Sequence, residues 1–194
     1  MSRGLLGICV LGILASAALL GTNAACTSSN SGGSNGGGSS GGSSSRPTDC
    51  DASLSDAGAL DSCCYVTQSQ ASTAIGYTLN AGELGNATVE GGLACVFYGN
   101  SLPQSLRDPN VALGDSVRVV VVDGPDALMW FNDYQSKVQA QPVSGYGDKA
   151  FYDGYASLSV LKGNYYLRIA ISPYGMPPSL QDEEMLAAVI LPNL

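Results

Sequence analysis

Between Thr27 and Ser45 the chain is almost entirely Ser, Gly, Asn and Thr, with no charge and no large apolar side chain. Such a tract buries too little apolar surface to offset the entropy of ordering, so it predicts a flexible coil. It divides the sequence. Any core large enough to matter must come from beyond Arg46-Pro47. At about 5–6 Å times the square root of roughly 20 residues, the tract spans near 25 Å end to end, enough to clear a layer of lipid headgroups.

What precedes the tract points to export. Met1-Ser2-Arg3 is a short positive segment, and Gly4 to Gly21 follows without a charged residue, the anatomy of a secretory signal. A retained helix, which needs about 17–25 apolar residues, and simple cleavage after Ala25 are the competing outcomes. Ala24-Ala25-Cys26, followed at once by polar residues, resembles the lipobox of bacterial lipoproteins, with Asn23 where that motif usually has Leu, Val or Ile. The resemblance implies cleavage before Cys26 and acylation of its thiol. Each buried methylene adds about 0.8 kcal/mol, and two or three chains hold a protein at a membrane without a basic cluster. The expected organisation is a signal peptide at 1–25, a lipidated cysteine and tether at 26–47, and a globular domain at 48–194.

Roughly 145 residues remain for that domain, the usual size of one folding unit. The whole chain carries 8 basic and 16 acidic residues, a formal net charge of −8. This balance repels phosphate backbones and argues against nucleic acid as a partner. The chain has no histidine. That removes the commonest general base, the commonest zinc ligand and every Ser-His or Cys-His nucleophile.

Setting aside Cys9 in the leader and Cys26, the domain keeps Cys50, Cys63, Cys64 and Cys95. An even number in an exported chain predicts disulfides. A bond between the adjacent Cys63 and Cys64 strains the backbone. Two pairings are left, Cys50 with Cys63 and Cys64 with Cys95, which is favoured, or the crossed arrangement. The spacing lacks the paired cysteines of structural zinc sites.

Local patterns then give the elements. Thr67 with Gln70 reads as a capping box opening a helix through Ile75, closed by Gly76. Tyr77 to Gly92 reads as irregular. Leu93 to Tyr98 alternates as a strand with Cys95 and Phe97 on one side, and Ser116 to Asp123 is a β-branched strand covered on both faces. Gly124-Pro125 opens a helix with Leu128, Phe131, Tyr134, Gln135 and Val138 at helical spacing, and Trp130 reads as packing. Strands follow at Lys149–Tyr152, Ala156–Lys162 and Tyr165–Ser172, the last two joined by a Gly163-Asn164 turn. On the last strand the face bearing Tyr166, Arg168, Ala170 and Ser172 is expected to be wet or partly so. Ser179 with Asp182 caps a final helix with Leu180, Leu186, Val189 and Ile190 inward. The fold class is therefore α+β, a single domain with an antiparallel sheet and helices packed mainly on one face.

Asp61-Ser62-Cys63-Cys64-Tyr65-Val66-Thr67, Ala71, Ala74-Ile75-Gly76, Cys95-Val96-Phe97 and Gly145-Tyr146-Gly147-Asp148-Lys149-Ala150 together resemble a family of actinobacterial exported lipoproteins of unknown function. The shared pattern is a cysteine leading a capped helix, a second cysteine on the next strand and a later Gly-x-Gly-Asp turn. The resemblance implies an extracytoplasmic location and an α+β fold, and it brings no catalytic residue.

No constellation commits the chain to a reaction. Gly145-Tyr146-Gly147 lacks the further Gly and following helix of a phosphate loop and reads as a tight turn. Asp148 and Asp153 lack the spacing of a calcium loop. Asp182, Glu183 and Glu184 read as acids favoured at a helix start. Tyr146, Tyr152, Tyr155, Tyr165, Tyr166 and Tyr174 cluster in one portion of the chain and form a candidate recognition surface. The expected function is a non-enzymatic binding domain, without cofactor or metal, held by Cys26 at the outer face of a bacterial membrane and meeting an envelope protein or ligand. A carrier of a small apolar ligand and an envelope enzyme using carboxylate or tyrosine chemistry are the alternatives, and secretion without an anchor is the alternative location.

Overall fold

Seven strands in one antiparallel sheet carry the fold, in a computed structural model that describes residues 59–194. The expected leader, the lipidation site Cys26, the tether and Cys50 lie outside the described residues. In chain order the elements are α1 (Gln68–Ile75), β1 (Glu83–Ala87), β2 (Gly92–Tyr98), β3 (Ser116–Asp123), α2 (Ala127–Lys137), β4 (Gln141–Val143), β5 (Lys149–Tyr152), β6 (Ser157–Lys162), β7 (Tyr165–Ser172) and α3 (Leu180–Ile190). The sheet order is β1-β2-β3-β7-β6-β5-β4. This is the expected α+β class. No helix among the described residues is long and apolar enough to cross a membrane.

The centre of the sheet follows from the valines of β3. Because side chains alternate across a strand, Val117, Val119 and Val121 enter one core while Val120 and Val122 enter the other. Helices α1 and α3 cover the first face, through Ala71, Ala74 and Ile75 and through Leu186, Ala187 and Ile190. Helix α2 covers the second through Ala127, Phe131 and Tyr134. Two of three helices thus share a face, and the opposite face is only partly wet, with Arg168 and Ser172 half-buried on β7. Tyr166 and Ala170 on β7 are buried there, since α2 crosses that side of the sheet.

Helix α1 forms as its sequence dictates. The Thr67 hydroxyl accepts the Gln70 N–H, the Gln70 side chain accepts the Thr67 N–H, and Gly76 closes the helix at φ 88°. Helix α2 departs from expectation. Its inward stripe is Ala127, Phe131 and Tyr134, and Leu128 is 47% exposed. The sheet below presents Phe151 and Tyr166, which take Phe131 edge-on at ring separations of 5.0 and 5.8 Å, so aromatic complementarity decides the rotation. Trp130 packs at the rim of this core against Gly91. In α3 the inward stripe is Glu183, Leu186, Ala187 and Ile190, with Val189 38% exposed. Ser179 occupies its N-cap position without a side-chain hydrogen bond. Two short strands, β1 within the stretch expected to be irregular and β4 before β5, form at the sheet's two edges. Neither has an apolar alternation to announce it.

A 3-10 turn at Ser62–Cys64 is fastened to the sheet twice. Beyond the Ala94–Val120 pair, where β2 and β3 part, the Ser62 hydroxyl donates to the Leu93 carbonyl and accepts the Val121 N–H. A serine thereby completes the ladder. Cys63 is bonded to Cys95 with Cα atoms 4.8 Å apart. This corrects the favoured pairing of Cys64 with Cys95. A 3-10 turn places successive side chains about 120° apart, so only one of the doublet can face Cys95. Cys64 is also disulfide-bonded. With a sequence separation of 32, the Cys63–Cys95 bond contributes about 3–4 kcal/mol by the chain-entropy model.

Candidate functional site

Among the described residues, three polar features stand out, and the third lines a cleft. The first begins with Arg118, a charge in the middle of the β3 valines. Its side chain shares a face with Val120 and Val122, and its η nitrogens donate to Glu90 at 2.8 and 2.9 Å, while Nε donates to the Pro109 carbonyl at 2.7 Å. Arg168 on β7 donates to the same Glu90, to the Tyr134 hydroxyl at 2.6 Å and to the Ser157 hydroxyl at 3.1 Å. Its guanidinium lies 3.8 Å from the centre of the Tyr134 ring. Tyr134 in turn donates to Asp153 at 2.8 Å.

Two guanidinium groups therefore face two carboxylates in a connected network. Burial pushes the Glu90 carboxyl up, but the hydrogen bonds and charges of Arg118 and then Arg168 outweigh it and hold the group below the ordinary range. Asp153 is likewise held low: burial raises it, and the Ser157 hydroxyl with the N–H groups of Ser157, Tyr155 and Ala156 more than offsets that. These partners satisfy one another. The network pins α2 and the segment around Glu90 to the sheet.

The second place is Glu183, fully buried under α3. One carboxyl oxygen accepts a long 3.4 Å hydrogen bond from the Ile171 N–H and the other has no partner. Burial raises it to about 9, the Ile171 N–H offsetting only part of that. It is a neutral acid at physiological pH. This corrects its reading as a favourable charge at a helix start: Asp182 and Glu184 are partly exposed, but Glu183 points into the core.

The third place is a cleft of about 540 Å³ lined by Tyr77, Thr78, Asn100, Ser101, Asp115, Tyr174 and Met176. Four loops meet there: the exit of α1, the turn after β2, the entry to β3, and the β7–α3 connection. Asp115 organises it. At φ 62° it is the one non-glycine residue with positive φ among the described residues, a conformation Asp tolerates better than most. Its Oδ1 accepts the Tyr77 hydroxyl at 2.7 Å, and its Oδ2 accepts the Ser101 N–H at 3.0 Å together with the Ser101 hydroxyl. The backbone of Gly99 presses against this carboxylate. A Cβ there would stand 1.9 Å from Oδ1, so any larger residue must displace the carboxylate. The Tyr77 oxygen also accepts the Tyr174 N–H at 3.1 Å, tying the far wall to the near one. Burial, partly offset by that N–H and reinforced by Asp115, pushes the Tyr77 phenol up to about 12. It stays a donor.

The six tyrosines expected to form one surface are spread over several places. Tyr166 is fully buried and cannot belong to any surface. Tyr146 and Tyr165 pack half-buried against the core under α1 and α3. Tyr152 donates to the Tyr155 carbonyl at 2.7 Å, and Tyr155 itself is 78% exposed. Only Tyr174, 70% exposed, lines the cleft. Of the other candidates, Gly145-Tyr146-Gly147 is a turn into β5, with both glycines at positive φ. Asp148 accepts the Gly163 N–H at 2.7 Å. Reading the sequence missed Tyr77, Asp115 and the Glu90–Arg118–Arg168 group. Arg118 alone had a signal, since a charge inside a run of valines requires a buried partner. No family model, curated protein or solved structure matches this chain.

Proposed function

We propose that this protein is exported, anchored through a lipidated Cys26 on the outer face of a bacterial membrane, and acts by binding rather than by catalysis. The observation that carries the binding reading is the cleft at Asp115. It joins exposed aromatic and thioether surface to fixed polar groups, as ligand sites do, whereas the interior charges of the domain are consumed in neutralising one another. The disulfide between Cys63 and Cys95 supports an oxidising compartment, in keeping with the leader and with the resemblance to exported lipoproteins. The Ser/Gly tract then acts as a spacer that keeps the cleft clear of the lipid surface.

Expression of the full chain in a bacterial host, beside Cys26→Ser, tests the anchor. The unchanged chain should sediment with membranes and leave them only in detergent, while the variant is released to the extracytoplasmic fluid. Recovery of the unchanged chain from the cytosol with reduced thiols would overturn the proposal.

A further inference from the structure

We infer that the Asp115 cleft binds a small organic cation, an ammonium group seated between Tyr77, Tyr174 and Met176. The inference rests on the binding reading and adds the ligand's chemistry to it.

Charge decides the class. Asp115 is 3% exposed and its carboxylate lines the cleft, but the hydrogens it accepts come from a phenol, a hydroxyl and a peptide N–H, all neutral. No lysine or arginine lines the cleft among the described residues. The contrast with the face under α2 is direct, since there each buried carboxylate has a guanidinium within its network. A buried carboxylate without a cation makes the cleft negative, and its low-dielectric walls concentrate that field. Anions are therefore repelled. The exposed surface of the cleft, Tyr174 at 70% and Met176 at 55%, offers an aromatic ring, which attracts an ammonium group, beside an apolar thioether side chain. The volume, about 540 Å³, falls within the range of small-molecule sites.

The backbone supports a built site. Holding Asp115 at positive φ against Gly99 costs free energy that the surrounding contacts must supply, and such outliers collect at ligand sites.

The test uses the oxidised soluble protein from Cys26→Ser, isotopically labelled and followed by amide NMR. Tetramethylammonium and n-butylammonium are titrated beside methyl glucoside and acetate. The expected result is saturable shifts at Tyr77, Thr78, Asn100, Ser101 and Tyr174 with the ammonium probes alone. Asp115→Asn should weaken this binding by roughly tenfold or more, and Tyr174→Ala by about threefold to tenfold. Since Tyr174 is exposed, its variant keeps the test valid if Asp115→Asn unfolds. Absence of saturation with either ammonium probe, or equal affinity in the Tyr174→Ala protein, would overturn the inference. Saturable binding of the glucoside or of acetate at these residues instead would also overturn it, while leaving the binding reading intact.

Discussion

Replacing Glu183 by Gln should stabilise the protein at neutral pH, and the gain should vanish in acid. In the folded chain the carboxyl is buried, half-partnered and raised to about 9 from an ordinary 4.5. In the unfolded chain it ionises near its ordinary value. Below about pH 4.5 both states hold the proton, and the group has no effect on stability through its charge. Between there and about pH 9 the folded state holds one proton more than the unfolded state, so stability falls by about 1.4 kcal/mol per pH unit. Above that range the full penalty is present. At pH 7 the accumulated cost is about 3 kcal/mol. A glutamine has no such cost, accepts the same Ile171 N–H and fills nearly the same volume. The variant's melting temperature at pH 7 should exceed that of the parent by roughly 10 °C for a domain of this size. Urea unfolding of both proteins at several pH values from 4 to 9 checks this. The difference between them cancels the titrating groups that do not feel the Glu183 charge. A difference that stays flat with pH, or that runs against the variant as pH rises, would refute the assignment of a neutral Glu183.

Three further outcomes follow from the packing. Glu90→Gln leaves Arg118 and Arg168 buried without their shared anion, and should cost about 3–5 kcal/mol in urea unfolding. Because Glu90 is held below its ordinary value, the stability it supplies is present above that value and is lost as pH falls through the folded one, so the parent should approach the variant in strong acid. Peptide mapping of the unreduced protein should recover Cys63 linked to Cys95, and Cys63→Ala with Cys95→Ala should lower stability by about 3–4 kcal/mol, read by thermal melting. Gly99→Ala places a methyl group against Asp115 and should shift the Tyr77 and Ser101 amide resonances even where the rest of the spectrum is unchanged.

The parts of this fold legible in the sequence were those fixed by local rules. Thr67, Gln70 and Gly76 specify α1 without reference to anything distant, and the valines of β3 demand a doubly covered strand. Where several distant segments decide, the sequence was silent or misleading. The rotation of α2 depends on Phe151 and Tyr166, which reach it only through the sheet. The burial of Glu183 depends on α3 lying flat on β7, and an acid two turns from the apolar Ile190 looks the same in sequence whether it faces water or the core. The cleft was least legible of all. Tyr77, Ser101, Asp115 and Tyr174 come from four loops with no motif among them, and their shared chemistry exists only once β2, β3 and β7 lie side by side. Tyrosine density along the chain was a poor guide, because neighbours in sequence alternate between the two faces of a strand.

Intact mass measurement of the mature protein, taken from bacterial membranes without reduction, tests most directly the claim that an exported, acylated chain presents this domain. The predicted result is a polypeptide beginning at Cys26, heavier by a diacylglyceryl group, with no free thiol. A mature chain whose Cys26 is unmodified, or one that retains the leader and carries reduced Cys63 and Cys95, would contradict it.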